Sequence, residues 1–435
     1  MGMLEATLPD GWEWGCVSDA FEVTRKPRGL PMERDGSAVF IPMEAIPQDG
    51  SYSPRYEVRE VAALTSGTYF ERGDLLVAKI TPSFENGKQA YVVDCPDRFG
   101  FATTEVIPLR PKGPQHDRRL LFFYLLHPDV REYVAERMEG STARQRVPEA
   151  VLLGLPLPQI PLEEQTAIAD VLELIVRNRL RERRSEEKSR HLKNSAMRSL
   201  FSGGLRGGSL RGAEHGSAPE GWGTVPLGSL GRLGNGSTPK RSVEAYWREG
   251  TIPWLNSAKM YEREIISSDQ FVTEVALKEC HLPVVQPGAV LMAITGQGKT
   301  LGHCAVVHVP ATVSQHVAYI QVDRSKADPS FVRGYLETQY ESLRQVASGG
   351  GSTKGALTCS YLRSIPIPLP DVAEQQEIVA ALDAMDRKIE LHRRKAAILD
   401  ELFKSLLHKL MTGQIRAADL DVSAIADGPL AETVS

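Results

Sequence analysis

Pro370-Asp371-Val372-Ala373-Glu374-Gln375-Gln376-Glu377-Ile378 opens the longest apolar-periodic run of the chain, and its Glu374-Gln375 repeats an earlier Glu164-Gln165. The offset is 210 residues (375 − 165), and it recurs. Asp10-Gly11-Trp12 returns as Glu220-Gly221-Trp222, Leu155-Pro156-Leu157-Pro158 as Ile365-Pro366-Ile367-Pro368, and Leu200-Phe201-Ser202-Gly203 as Leu410-Met411-Thr412-Gly413. A fixed self-similar period takes precedence over local readings, because each copy must be one structural unit. Inside the frame the register drifts: Arg72-Gly73-Asp74-Leu75-Leu76 aligns best with Pro287-Gly288-Ala289-Val290-Leu291, an offset of 215 (288 − 73). The expected order is a globular part over residues 1–160, a long helix over 161–203, a Gly/Ser-rich linker over 204–219, a second globular part over 220–370, a second long helix over 371–413 and a tail over 414–435.

The fold class this implies is α+β, with a twisted, partly antiparallel sheet in each globular part. Short β-branched runs such as Ala90-Tyr91-Val92-Val93 and Ala305-Val306-Val307-His308-Val309 sit between Gly and Pro, as strands do. Leu120 to Met138 and Phe331 to Val346 carry helical periodicity. The last helix is more regular. Ile378, Leu382, Met385, Ile389, His392, Ala396, Leu399, Phe403, Leu406 and Leu410 alternate steps of four and three, a heptad seam in which His392 reads as a register-setting polar residue. The first helix keeps apolar residues at its ends, Ile168, Leu172 and Ile175, then Leu192, Ala196 and Leu200, whereas Arg177 to Arg190 is mostly charged. That middle reads as a solvated face, with contact to a partner or to DNA phosphates as the other reading. Neither helix is stable alone with a bare apolar stripe, so the two copies are expected to form an antiparallel coiled coil.

Composition narrows the function classes. At 435 residues the chain suits two to four domains, and no run of about 18 apolar residues could span a bilayer. Five cysteines, odd in number and irregularly spaced, suit a reducing compartment, and the N-terminus lacks a basic segment followed by an apolar one; a cytoplasmic location is expected. A net charge of −4 argues against a DNA-binding domain acting alone, so if DNA is the ligand, basic partners help hold it.

The duplicated helix opening, together with Leu192-Lys193-Asn194-Ser195-Ala196-Met197-Arg198-Ser199-Leu200-Phe201-Ser202-Gly203 and Leu402-Phe403-Lys404-Ser405-Leu406-Leu407-His408-Lys409-Leu410-Met411-Thr412-Gly413, resembles the specificity subunits of type I restriction-modification enzymes. The resemblance covers nearly the whole chain and rests on several motifs in order. It implies two target-recognition domains separated by long helices and a non-catalytic subunit that reads an asymmetric, bipartite sequence in double-stranded DNA. It also implies that two copies of an adenine-methylating subunit pack on the helices and that motor-nuclease subunits join for cleavage. The helix-seam residues are then expected at subunit interfaces, and no cofactor is expected.

Base reading needs directional donors and acceptors, whereas phosphates accept any cation. Candidates in the first copy are Arg25, Lys26 and Arg28 in one Gly/Pro-bounded loop, Lys79, Thr81 and Lys88 around an expected hairpin, and Arg144, Gln145 and Arg146 after Gly140-Ser141-Thr142. The matching loops of the second carry Lys240 and Arg241, Gln297 and Lys299, and Ser352, Thr353 and Lys354. Two rival readings stay open at this point: a nucleotide-dependent DNA-processing protein using Lys299, and a coiled-coil scaffold that reads no DNA. Ala293-Ile294-Thr295-Gly296-Gln297-Gly298-Lys299-Thr300 approaches a phosphate loop, but such a loop needs a helix to start at its lysine, and Leu301 to Val307 looks like a return strand. Cys280-His281 and His303-Cys304 lack zinc-module spacing, and no metal is expected.

Overall fold

The computed structural model describes residues 3–30, 36–64, 66–141, 144–205, 210–211, 218–219, 221–296, 299–349 and 356–423. Gln297, Ser352, Thr353 and Lys354 lie outside the described residues, as do most of the expected linker and the tail from residue 424. Two compact units result, one from Met1–Glu186 with Leu391–Ser435, the other from Glu187–Glu390. Both long helices, Leu162–Gly203 and Val372–Met411, therefore contribute to each unit.

In the first unit a four-stranded antiparallel sheet orders Phe21–Val23, Val106–Pro111, Leu75–Ala78 and Gln89–Tyr91. A second sheet orders Glu57–Glu60, Ser37–Ile41, Phe99–Ala102 and Thr68–Glu71, with one parallel pairing, Ser37–Ile41 on Phe99–Ala102. The expected helix from Leu120 to Met138 is two helices, Arg118–Tyr124 and Pro128–Ala135. Pro128 has no N–H to continue the first and is suited to begin the second. The interior of this unit is aromatic and aliphatic: Phe122, Phe123, Tyr124, Leu75 and Ile107 are fully buried, and Ile168, Leu172 and Ile175 of the first long helix join them.

The second unit repeats the plan. Gly231–Asn235, Val317–Val322, Ala289–Ala293 and Cys304–Val307 follow the same antiparallel order, extended by a parallel strand, Glu264–Ile265. The smaller sheet again has one parallel pairing, Ile252–Leu255 on Ala311–Val313. The expected helix from Phe331 to Val346 is Pro329–Thr338 followed by Tyr340–Gly349. Gly73 and Gly288 both open their central strand at positive φ, 93° and 90°, as the 215-residue alignment requires; a side chain is strained there.

The repeat motifs turn out to be joints. Trp12 Nε1 donates to Glu164 Oε2 at 2.6 Å, and Trp222 Nε1 to Glu374 Oε2 at 3.2 Å. The neighbouring glutamines are buried at the helix starts. Gln165 Nε2 donates to the Ile160 carbonyl at 2.6 Å while its Oε1 accepts from Asp117 N–H at 2.8 Å; Gln375 does the same with Pro370 and Asp328 at 2.9 and 2.8 Å. Glu13–Cys16 pairs with Pro156–Gln159 and Gly223–Pro226 with Pro366–Leu369, closing each globular part just ahead of its helix.

Within each unit the two long helices pack antiparallel. Ile378, Leu382 and Ile389 are buried in the second unit, with Met385 half-buried; Phe403 and Leu410 are buried in the first, with Leu399 and Leu406 partly so. The last part of the first helix faces otherwise than expected. Lys193, Met197 and Phe201 are the buried positions, Ala196 and Leu200 are half-buried, and Leu192 is 61% exposed. The buried seam lies one residue later than expected and includes a lysine, held there by Asp386 of the other helix at 2.6 and 2.7 Å. Nor is the charged middle simply solvated. Arg179, 8% exposed, donates to Asp400 Oδ1 at 2.9 Å and lies over the Phe403 ring, and His392 Nδ1 meets Glu182 Oε2 at 2.6 Å.

Candidate nucleic-acid interface

The strand order decides which loops can meet. In an antiparallel sheet ordered Phe21–Val23, Val106–Pro111, Leu75–Ala78, Gln89–Tyr91, the end of the first strand, the start of the second, the end of the third and the start of the fourth all lie at one edge of the sheet. Those points lead directly to Arg25, Lys26 and Arg28, to Glu105, to Lys79 and Thr81, and from Lys88. The third candidate loop comes to the same place. Arg146 forms a bridge with Ile80, Thr81 N–H donates to the Gln145 carbonyl at 3.0 Å, and Val147 N–H to the Lys79 carbonyl at 2.7 Å.

Side chains at this end are partly held by their own chain. Arg146 makes two bonds to Glu105, 2.9 and 2.7 Å, and its guanidinium holds the Glu105 carboxyl below the usual range. Arg25 pairs with Glu149, Lys26 lies 5.3 Å from the Phe101 ring centre, and Thr81 Oγ1 donates to Glu85 at 2.8 Å. Lys88 turns onto the Met43 carbonyl at 2.8 Å and is half-buried. Arg25, Lys26, Arg28, Arg144 and Arg146 are exposed.

Lys240, Arg241 and Lys299, the candidates of the second unit among the described residues, lie at the corresponding edge. Lys240 and Arg241 follow Gly231–Asn235, His316 precedes Val317–Val322, and Thr295 to Gly302 join Ala289–Ala293 to Cys304–Val307. Thr295 bridges Ala356, where the chain leaves residues 350–355, as Ile80 bridges Arg146 in the first unit. Arg241 stacks 3.7 Å from the Trp247 ring centre and bonds Gln270, so its planar fork is fixed before any ligand arrives. Lys299 is exposed, and its carbonyl accepts from the Tyr340 hydroxyl at 2.6 Å; Tyr340 and Tyr261 flank His303 at 4.9 and 4.6 Å between ring centres. Sequence alone did not single out Glu105, Trp247, His316 or Tyr340. They position the candidates through strand order and stacking, which leave no local pattern.

Residues 219–401 match the family model for the type I restriction modification DNA specificity domain. Over 421 residues the chain is 26% identical to the type I restriction enzyme MjaX specificity subunit of Methanocaldococcus jannaschii, covering 94% of this chain and 95% of that one. Along nearly its whole length the chain is similar to type I restriction-modification specificity subunits, and residues 219–401 carry the similarity to their DNA specificity domain. Similarity to the EcoAI specificity subunit of Escherichia coli is higher but partial, 33% over 162 residues, spanning 37% of this chain and 27% of that one. The fold agrees with a chain from a structure of type I R-M complex assembly and conformational transition, at a TM-score of 0.59 and 21% identity over 94% of this chain and 100% of that one. It agrees also with the Type-I S subunit from M. genitalium, at 0.56 and 16% identity, covering 93% and 97%.

The relatives are named specificity subunits, and three places in this chain that could suggest nucleotide or metal chemistry have structural occupations. Lys299 is followed by a turn into strand Cys304–Val307, so no helix starts at this lysine as a phosphate loop requires. Cys304 is buried, which pushes its thiol up, and no helix of the described residues is long and apolar enough to cross a membrane. His127, Asp129 and His408 of the first unit lie close together. There Asp129 N–H donates to His127 Nδ1 at 3.2 Å as a helix cap, which leaves the imidazole proton on Nε2, 3.1 Å from His408 Nδ1.

That arrangement makes the first unit acid-sensitive. Burial lowers His127 from 6.5 to about 4, so the unfolded chain takes up a proton before the folded one does. Stability is therefore full above about pH 6.5 and falls as pH drops towards 4, by up to about 2–3 kcal/mol. Denaturant titrations between pH 7 and pH 4.5 should show this loss reduced by His127→Asn, which keeps the cap without titrating; an equal loss in both proteins would disprove the assignment.

Proposed function

We propose that this subunit reads an asymmetric, bipartite sequence in double-stranded DNA, one half per unit, through the sheet edge that carries the candidate loops. Two copies of an adenine-methylating subunit attach along the helices, and motor-nuclease subunits complete the complex for cleavage. The observation that carries the reading is the shared edge: among the described residues, loops carrying Arg, Lys and Thr lie at the same end of the same antiparallel sheet in both units. Such a cluster supplies cations for phosphates and directional donors for base edges. The modest net charge of the chain fits an assembly in which partners contribute additional phosphate contacts.

The experiment uses the subunit assembled with its methylating partner. Lys79→Ala in the first unit and Lys299→Ala in the second are each expected to weaken binding roughly 3- to 10-fold and to reduce the slope of log affinity against log salt by about 0.9 per lost phosphate contact. Lys326→Ala, on a helix-capping turn away from the strand ends that carry the candidates, serves as control. Equal effects from all three would remove the proposed edge.

A further inference from the structure

Arg179 and Lys193, the two buried cations of the first long helix, stand two heptads apart, as do their partners Asp400 and Asp386 on the second. The distances are 2.9 Å for Arg179–Asp400 and 2.6 and 2.7 Å for Lys193 to the two Asp386 oxygens. Between these positions in sequence, Glu182 meets His392 at 2.6 Å, and these residues are 210 apart. Each is thus the other's counterpart in the internal repeat, so the repeat touches itself there.

We propose that these six side chains are a pairing code through which each long helix accepts the other helix of its own chain and rejects a second copy of itself. Replacing either helix by its counterpart 210 residues away, in the same antiparallel register, gives the homotypic alternatives. Two second helices would set Asp400 against Ile389, Asp386 against Phe403 and His392 against its own copy. Two first helices would set Arg179 against Arg190, Lys193 against Val176 and Glu182 against its own copy. Every ion pair between the helices is lost in both: buried Arg179 and Lys193 face Arg190 and Val176, Asp400 loses both of its arginine partners, and Asp386 keeps only Arg263. The apolar seam alone could not discriminate in this way, since both helices carry one; a few buried polar positions select partners at some cost in stability. The inference stands on the helix pairing and is independent of how DNA is read.

Two full-length chains with different tags test it by exchange. Arg179→Asp with Glu182→Arg reverses the first helix; His392→Glu with Asp400→Arg reverses the second. Within either chain like charges then face each other, whereas across the two chains, co-expressed, every pair is opposite in sign. Sequential affinity purification should recover a one-to-one complex roughly tenfold or more above the amount given by two differently tagged wild-type chains. A single chain carrying all four substitutions should return to the wild-type level of association and melt near the wild-type temperature. Co-purification of the complementary chains no greater than wild type, or a melting temperature of either reversed chain equal to wild type, would overturn the code.

Discussion

Gln375→Leu is expected to destabilise the second unit by about 2–4 kcal/mol, an effect larger than its modest change in volume suggests. The amide is fully buried and gives its Nε2–H to the Pro370 carbonyl while its Oε1 takes the Asp328 N–H. Leucine fills the space and strands both backbone groups, each costing about 1–3 kcal/mol when left without a partner. Asp328 is also the residue that caps Pro329–Thr338, through Ser330 and Phe331 N–H, so the loss reaches a core helix whose Phe331 is buried. Scanning calorimetry of the whole chain should show one transition moving down, and Gln165→Leu should move the other. A shift below about 1 kcal/mol, or the same transition moving in both variants, would contradict the joint as described.

The second large effect concerns specificity. Exchanging residues 220–370 for the corresponding part of another specificity subunit should replace one half of the methylated sequence completely and leave the other half intact. The exchanged part brings its own closing strand pair, equivalent to Gly223–Pro226 with Pro366–Leu369, and its own counterpart of Trp222, which must find Glu374. Discrimination against a wrong base is worth about 1–3 kcal/mol per position, so several replaced positions should abolish modification at the original half-sequence under ordinary conditions. Mapping modified adenines across a genome decides this. Changes in both halves would show that the units do not read independently.

Much of this architecture is visible in the sequence because repetition marks it. Trp12 with Glu164 and Trp222 with Glu374 form the same bond in both copies, and the motifs that define the 210-residue offset are the ones the joints require. The first helix was harder to read. Apolar periodicity places its seam at Leu192, Ala196 and Leu200, but the residues turned inward are Lys193, Met197 and Phe201, since an aspartate on the other helix makes a buried lysine tolerable. A periodicity argument that treats every lysine as exposed must slip by one position there. For the DNA-facing candidates, the loops were identifiable from their cations and their Gly/Pro punctuation. Their meeting at one sheet edge depended on strand order, and the restraint of Arg146 by Glu105 or of Arg241 by Trp247 depended on partners distant in sequence or on stacking.

Leu399→Asp and Leu406→Asp illustrate the same point. Both leucines pack on the core of the first unit, so their loss would damage that unit itself as well as any assembly built on the helix.

The buried glutamines have a consequence for inheritance. Gln165 and Gln375 grip the globular parts solely by main-chain atoms, the amides of Asp117 and Asp328 and the carbonyls of Gln115 and Lys326. Main-chain atoms are present whatever the side chain, so the grip places almost no demand on the sequence it holds. Genetic recombination with crossovers near these joints can therefore install an unrelated reader and still yield a folded chain. On the reading proposed above, a lineage carrying this frame can change what the chain recognises in one event, without passing through intermediates that fail to fold.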